Sequence, residues 1–471
     1  MAGKNKVVQP RSIGLTSLRR GPFYTVASVE LGNTTTKCIL VTTNLQTAEI
    51  FEIEKEVRLT RDVRAPRVGE TVFGKTIFGV DLTRESVSEM ISDILTTVLQ
   101  RARLDINRDL HFVVRSTGVT AGFASPDEVG TLVQALADGC LNAGVPPRKM
   151  TASLSVDNLP PGLQDFTWLR KVYFDGAVAS SLPPSDTSIV ANEMEGELVT
   201  AGIKGAAKST DIDFRNPVIT MDFGTTLAGR VTDNGYPYAK TIGSFAGLAG
   251  AISDSLVRLS GMVPVKNGSV LDVPLQRSTI KLEVDDVWVQ EARKYIRVER
   301  VNRTDSRFGT VPVNGKAAEE AGVLLIGVDA GTNGSKLEEL ARLGSSIVEE
   351  AGIETLFAVI DHVQANIVQQ ILTIVDSEGL VFAETSLGLT GRSIITGQKP
   401  KLILDSLKLN NSDLWIANHD LIFVEDGLAM GAAVAARCMN SMGTTRNPMG
   451  GRKGDRCIMT ERMKLQKKRH E

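Results

Sequence analysis

The sequence predicts an α/β fold of two domains facing each other across a cleft, and three observations lead there. At 471 residues the chain exceeds what one ordinary core organises, so two domains are the natural division. Strand-like runs alternate with helical periodicity through both halves. A short stretch of the form acid-x-Gly-[Asn/Thr]-Thr, set between two strands, occurs around Gly32 and again around Gly224, 192 positions on. So distant an echo points to a duplicated unit rather than a tandem repeat.

Composition limits the classes that remain. Hydrophobic residues make up 42% and charged residues 23%, as in globular proteins. No apolar run approaches a membrane span, and the basic N-terminus has no apolar segment behind it. The expectation is a cytoplasmic protein without a membrane contact. Cys38, Cys140, Cys438 and Cys457 are scattered singly, with no CxxC, so no local zinc or iron–sulfur ligand set is encoded. His111, His362, His419 and His470 lack ligand spacing as well. The net charge of −2 conceals basic ends: five Lys/Arg and no acid in residues 1–21, nine Lys/Arg against three acids in residues 441–471. Both ends read as solvated, disordered tails, and nucleic acid is not expected as a partner.

In order along the chain, Tyr24–Leu31 and Thr36–Thr42 read as β-branched, apolar strands joined at Gly32, and Glu49–Leu59 as a third. Thr83–Arg103 carries Val87, Ile91, Ile94, Leu95 and Val98 on one helical stripe. Leu110–Arg115 is a strand, and Ser125-Pro126-Asp127-Glu128 opens a helix with a capping box. These make a first domain over residues 22–185, whose proline-rich stretch 146–184 reads as connecting material. A second domain, 186–440, begins with a helix over Ser188–Gly205 and the strand Pro217–Asp222. Leu227–Thr232 and Tyr238–Ile242 follow as hairpin partners, then a small-residue helix over Gly243–Gly261 and an insertion at about 264–318. Ala321–Asp329 is a strand, 335–351 and 354–376 are helices, Leu421–Val424 the last strand and Gly427–Met439 the last helix.

The two echoing hairpins carry the chemistry. Glycine lets a ligand approach the backbone and permits φ > 0 at the turn, and consecutive N–H groups then form an anion-binding concavity. In the first hairpin Gly32, Asn33, Thr34, Thr35 and Thr36 supply amides and hydroxyls, and Lys37 a point charge for a phosphate. In the second the same parts are Gly224, Thr225 and Thr226. Glu30 and Asp222, at the strand ends, can hold Mg²⁺ through water.

These residues resemble the phosphate-1 and phosphate-2 loops of the actin, sugar-kinase and heat-shock-chaperone ATPase superfamily. Leu387-Gly388-Leu389-Thr390-Gly391-Arg392 resembles the adenosine motif, assigning Gly388, Gly391 and Arg392 to the nucleotide. Glu425–Val434, rich in Gly and Ala, resembles the connecting helix, whose small residues would let two helices cross closely. The motifs span residues 24–440 in the order the superfamily uses. The resemblance implies two ribonuclease-H-like domains, each a mixed five-stranded sheet with helices, around a nucleotide cleft holding ATP and Mg²⁺.

Within the superfamily, Glu197–Ala206 is similar to the helix before phosphate-2 in the activator ATPases. The whole chain resembles the archaeal family called methanogenesis marker protein 14. That resemblance implies a protein partner in methanogenesis or its activation machinery, and a possible homodimer. Activators carry an iron–sulfur cluster for which this chain has no cysteine pattern, so electrons would come from another protein. Glu30 stands where an Asp is usual. One extra methylene moves the carboxylate by about 1.5 Å, which matters to an ion demanding near-ideal octahedral geometry.

Glu193 and Glu197 share a helix face, and Glu197 is the candidate to orient water or take a proton. Arg115-Ser116-Thr117-Gly118 is a candidate ligand-contacting turn. Asp329-Ala330-Gly331-Thr332 is a third acid-x-Gly-Thr stretch; a helix follows it, so it reads as a strand–turn–helix junction with Ser335 as cap. Three functions stay open: an ATPase whose closure reshapes a partner, a small-molecule kinase, and a nucleotide-binding regulatory or structural protein without hydrolysis.

Overall fold

The computed structural model describes residues 7–47, 49–119, 123, 126–150, 153–154, 174–175, 193–235, 239–263, 267–273 and 284–441. The chain opens with strand β1 (Arg11–Ser12), helix α1 (Leu15–Arg20) and strands β2 (Phe23–Leu31), β3 (Thr35–Asn44), β4 (Ile50–Leu59), β5 (Val72–Lys75) and β6 (Asp81–Thr83). Helix α2 (Arg84–Ala102), β7 (Phe112–Thr117), α3 (Pro126–Asn142) and the two-residue strands β8 (Ser153–Leu154) and β9 (Phe174–Asp175) follow. Next come α4 (Glu193–Ala207), β10 (Val218–Phe223), β11 (Leu227–Thr232), β12 (Thr241–Gly247), α5 (Gly250–Arg258), α6 (Asp286–Arg293) and β13 (Ile296–Arg300). Then β14 (Arg307–Phe308), β15 (Val311–Pro312), α7 (Gly315–Glu320), β16 (Leu324–Ala330), α8 (Leu337–Ala351) and α9 (Ile353–Ser377). The chain continues through β17 (Ser386–Thr390), α10 (Arg392–Ile395), α11 (Lys399–Ser406), α12 (Trp415–Asn418), β18 (Leu421–Val424) and α13 (Gly427–Ser441).

Two mixed sheets dominate. The smaller runs β1-β4-β3-β2-β7 and the larger β13-β16-β12-β11-β10-β17-β18. The two echoing hairpins hold equivalent places. β2 pairs antiparallel with β3 and parallel with β7, and β10 pairs antiparallel with β11 and parallel with β17.

Alternation along the strands decides what each face covers. In the smaller sheet Ala27, Val29, Cys38 and Leu40 pack outward against α2 and α3, while Val26, Ile39 and Val41 point inward. In the larger, Ile219, Met221 and Phe223 pack outward against α5, α8 and α9, while Val218, Ile422 and Val424 point inward. The inward faces share one apolar layer with α4 and α13. Those two helices cross at backbone distance: a β-carbon built on Gly202 would lie 1.8 Å from the Gly427 carbonyl, and one on Gly431 1.7 Å from the Leu198 carbonyl. The small residues of the last helix are therefore what the crossing requires.

Several expectations need correction. The N-terminal stretch read as a tail contains β1 and α1, with Leu18 buried, because Leu15 and Leu18 have the smaller sheet's outer core to pack on. Residues 1–6 and 442–471 lie outside the described residues, as does most of 151–192. The larger sheet has seven strands and not five, since β16 and β13 extend it beyond β12. β13 belongs to the stretch expected as an insertion and is an edge strand of this sheet, whereas β14 and β15 pair only with each other. Gly243–Gly261 is not one helix: β12 fills 241–247 and α5 starts at Gly250. The small residues there admit close strands, Gly243 against Val231 and Gly247 (φ +106) against the Val328 carbonyl.

Candidate functional site

The first loop is tied down from below. Gly32 N–H donates to the Thr35 carbonyl (2.9 Å), and a β-carbon on Gly32 would sit 2.8 Å from that oxygen. Asn33 donates from Nδ2 to the Gly118 carbonyl (2.7 Å) and accepts the Ile77 N–H (2.9 Å), pinning the loop to the end of β7 and to the β5–β6 hairpin. Thr36 is fully buried and its hydroxyl pairs with Thr60 (2.9 Å), which donates to the Gly32 carbonyl. Asn33 and Thr36, expected to face a phosphate, thus hold the loop's shape instead. Thr35 opens β3 opposite Leu59.

The second loop is stitched to α5. Gly250 N–H donates to the Gly224 carbonyl (2.8 Å), and the Ala249 and Ala251 N–H groups donate to the Thr225 carbonyl (3.1 and 3.0 Å). Neither Gly32 nor Gly224 has the positive φ expected of it. Gly32 is required by close approach, whereas nothing lies nearer than 3.4 Å to a β-carbon on Gly224.

The two loops meet. Thr225 donates from its hydroxyl to Thr34 (2.8 Å), and Thr34 donates to Asp254 Oδ2 (3.2 Å). Asp254, fully buried on α5, also accepts the Val270 N–H (3.0 Å) and the Arg392 guanidinium (2.6 Å). A hypothetical β-carbon on Gly118 would find the Thr226 hydroxyl 3.6 Å away, which places the tip of β7 beside the second loop as well. Gly391 (φ +94) lets the turn after β17 lie on β10, since a β-carbon there would come within 2.3 Å of Asp222 Oδ1. Gly388 does not join them. It lies inside β17 against Phe214 and Ile203, a packing position.

Beneath the loops lies a charged cluster, buried at Asp222 and Glu195 and partly exposed at Glu30 and Lys37. Glu30 and Lys37 are cross-strand partners on the inward face and form an ion pair at 3.0 Å. Asp222, 7% exposed, shares inward parity with Val218 on β10. Glu195, in the first turn of α4 and 8% exposed, presents an Oε2 without a hydrogen-bond partner. Burial pushes the Asp222 carboxyl up to about 7; Lys37 opposes that, and Glu30 and Asp426 add to it. Burial, then the charges of Asp222 and Glu30, push Glu195 well above the usual carboxyl range. Lys37, despite burial, is held above its ordinary range by Glu30, Asp426 and Asp222. At the edge Lys55 bridges Glu425 (2.7 Å) and Asp426 (3.1 Å).

Glu197, expected to face the site, pairs with Arg230 at 3.3 Å instead. The acid that faces the cluster is two residues earlier. Its signal was in the sequence: Glu195 falls on the apolar stripe of α4, three and four residues before Leu198 and Val199. Asp254 had a similar signal, a lone acid in a helix otherwise buried from Gly250 to Val257. The third acid-x-Gly-Thr stretch closes on itself. Asp329 accepts the Ala330, Asn333 and Gly334 N–H groups (2.7, 2.8 and 2.9 Å) and pairs with Arg297 (3.0 Å). Ser335 accepts the Thr332 N–H and does not cap α8.

Four inward or neighbouring carboxyl groups (Glu30, Asp222, Glu195 and Asp426) around the partly exposed Lys37 make a site rich in acid groups with one orphaned oxygen. That donor chemistry suits a hard divalent cation. Among the described residues no three His, Cys, Asp or Glu are grouped to ligate an ion directly, so one or two carboxylates plus water is the arrangement this set can offer. No helix among the described residues is long and apolar enough to cross a membrane.

Among solved structures, the chain is similar in outline to a reductive activator for a corrinoid, iron–sulfur protein, with 11% identity and a TM-score of 0.37. That likeness covers 95% of this chain and 63% of the activator, so the chain spans under two thirds of it. It is similar also to ethanolamine utilization protein EutJ from Carboxydothermus hydrogenoformans, with 12% identity, a TM-score of 0.34 and 89% and 94% of the two chains covered. Likenesses this distant concern the chain's path and say nothing of activity.

Curated relatives are much nearer. An uncharacterized protein of Methanothermobacter thermautotrophicus is 53% identical over 463 residues, 97% of this chain and 85% of the relative. One of Methanocaldococcus jannaschii is 50% identical over 460 residues, 98% and 94%. Residues 23–466 match the family described as "Uncharacterized protein conserved in archaea (DUF2114)", and the chain is a member of that archaeal family.

Proposed function

We propose that the protein binds ATP with Mg²⁺ between the Gly32 and Gly224 loops, in a cleft between two ribonuclease-H-like domains, and that closing and opening this cleft acts on a partner protein. One observation carries the reading: Thr34 and Thr225, 191 positions apart, hydrogen-bond to each other directly above a buried acid cluster. On binding, those two hydroxyls exchange each other for phosphate oxygens. Lys37 supplies charge to the same group, and Glu30 and Asp222 hold the ion through its water. Mg²⁺ held there would neutralise charge developing on a transferred phosphoryl group. Glu195, whose protonated form burial and the neighbouring carboxylates favour, would be the group to accept a proton from an attacking water once a cation's charge favoured its carboxylate. Thr34, on the smaller sheet's hairpin, donates to Asp254, which Arg392 also holds, so loop separation is felt on the larger sheet's side through that carboxylate.

The resemblance read from the sequence names a methanogenesis enzyme or its activation machinery as the partner class. A second reading, nucleotide binding without turnover, is favoured by the Glu30–Lys37 pair, which occupies both groups with each other. Calorimetric titration with ATP, with and without Mg²⁺, followed by an ADP-release assay separates the two. Binding without ADP supports the second, and no binding in either arm removes both.

A further inference from the structure

We infer that Val7–Ile13 is a strap that limits how far the two sheets can part. It rests on the reading that the cleft opens, though on no particular ligand. The Val8 N–H donates to the Phe423 carbonyl (2.8 Å), and the Glu425 N–H donates to the Val8 carbonyl (2.9 Å), which adds one bridge to the β18 edge of the larger sheet. Three residues later Arg11 and Ser12 pair in parallel with Phe51 and Glu52 of β4, the other sheet, and Ile13 N–H donates to the Glu52 carbonyl (3.3 Å).

The side chains repeat the division. Val7 packs on the larger sheet's outer core, Val8 on the shared middle layer, and Leu15 and Leu18, just beyond, on the smaller sheet's outer core. Underneath, Pro10 and Arg11 line a small cavity with Gly205 of α4 and Met430 of α13, so the strap lies across the ends of the crossing helices. Three residues reach at most about 11 Å when fully extended, so the β18 and β4 edges cannot separate further without breaking one set of main-chain bonds. The Lys55 bridge to Glu425 and Asp426 joins the same two regions and acts alongside.

The test is hydrogen–deuterium exchange by mass spectrometry, without nucleotide, on the full chain, on a chain lacking residues 1–13, and on V8P. The proline removes the one N–H that bonds Phe423. Exchange in peptides covering residues 30–36 and 222–229 is expected to accelerate about tenfold in the deletion and by less in V8P, with α2 unchanged. If the deletion does not fold, V8P alone decides. Unchanged loop exchange overturns the strap, and so does acceleration spread equally over α2, which would make the segment a general stabiliser. Neither outcome depends on whether ATP binds.

Discussion

Acidification is expected to weaken divalent-cation binding at the acid cluster, with the steepest effect below about pH 7. The Asp222 carboxyl stands at about 7 because it is buried beside Glu30 and Asp426, with only Lys37 opposing. A cation needs the carboxylate, so below that value binding must displace a proton. Apparent affinity then falls about tenfold per pH unit, the slope for one proton. Glu195 is raised as well, and any excess over one proton released is its contribution. The sign for stability follows: the folded carboxyl is raised, so its contribution is full below the ordinary Asp value and is lost as pH climbs through about 7. That loss is on the order of 4 kcal/mol for Asp222 titrating alone in the cation-free chain. Calorimetry with Mn²⁺ or Mg²⁺ in buffers of different ionisation heat counts the protons. Asp222→Asn should flatten the affinity profile, and Glu195→Gln should remove only the excess. A flat profile in the unaltered protein, with no proton released, would refute the claim that these carboxyls receive the cation.

Other expectations follow from the same geometry. Asp222→Ala is expected to abolish nucleotide turnover with the circular dichroism spectrum unchanged, whereas Glu30→Asp should raise ADP release if the length of Glu30 limits it. Glu195→Gln should lower turnover by about 10²-fold or more while Glu197→Ala stays within about twofold, because Glu197 is engaged with Arg230. Gly431→Ala should cost about 1–3 kcal/mol by denaturant midpoint, since the added carbon meets the Leu198 carbonyl at 1.7 Å. Burial, with Lys149 next, holds the His111 imidazole below its ordinary value, and its Nδ1 accepts the Thr25 N–H (3.1 Å). The stability from that neutral ring is full above about pH 6.5 and is lost as pH falls below it, so His111→Asn should show the shallower acid limb.

What could be read from the residues, and what could not, divides along physical lines. Strong local periodicity placed α2, β2 and β18 within a few residues, and the echo placed two hairpins at equivalent positions in two sheets. Where composition and context disagreed, context won: the small residues of 243–261 read as one helix, but Gly243 and Gly247 let β12 lie close between β11 and β16. The loops themselves were legible, but the division of labour inside them was not. Asn33 and Thr36 are polar residues in a phosphate-loop pattern, and only long-range partners (Gly118, Ile77 and Thr60) show them supporting the loop. Glu195 and Asp254 owe their importance to burial, and between Glu195 and Glu197 a two-residue difference in helix phase decides which acid is buried.

The shared middle layer has a practical consequence for anyone cutting this protein up. Both helices that cover the inner face of the smaller sheet, α4 and α13, come from beyond residue 192. A fragment ending near residue 185 would present Val26, Ile39, Val41, Phe112 and Val114 without the two helices that cover them among the described residues. Such a piece should aggregate when expressed by itself and become tractable only when the remainder is supplied in trans. The halves are separable on paper by their sheets, but the smaller sheet is finished by helices from the other half of the chain.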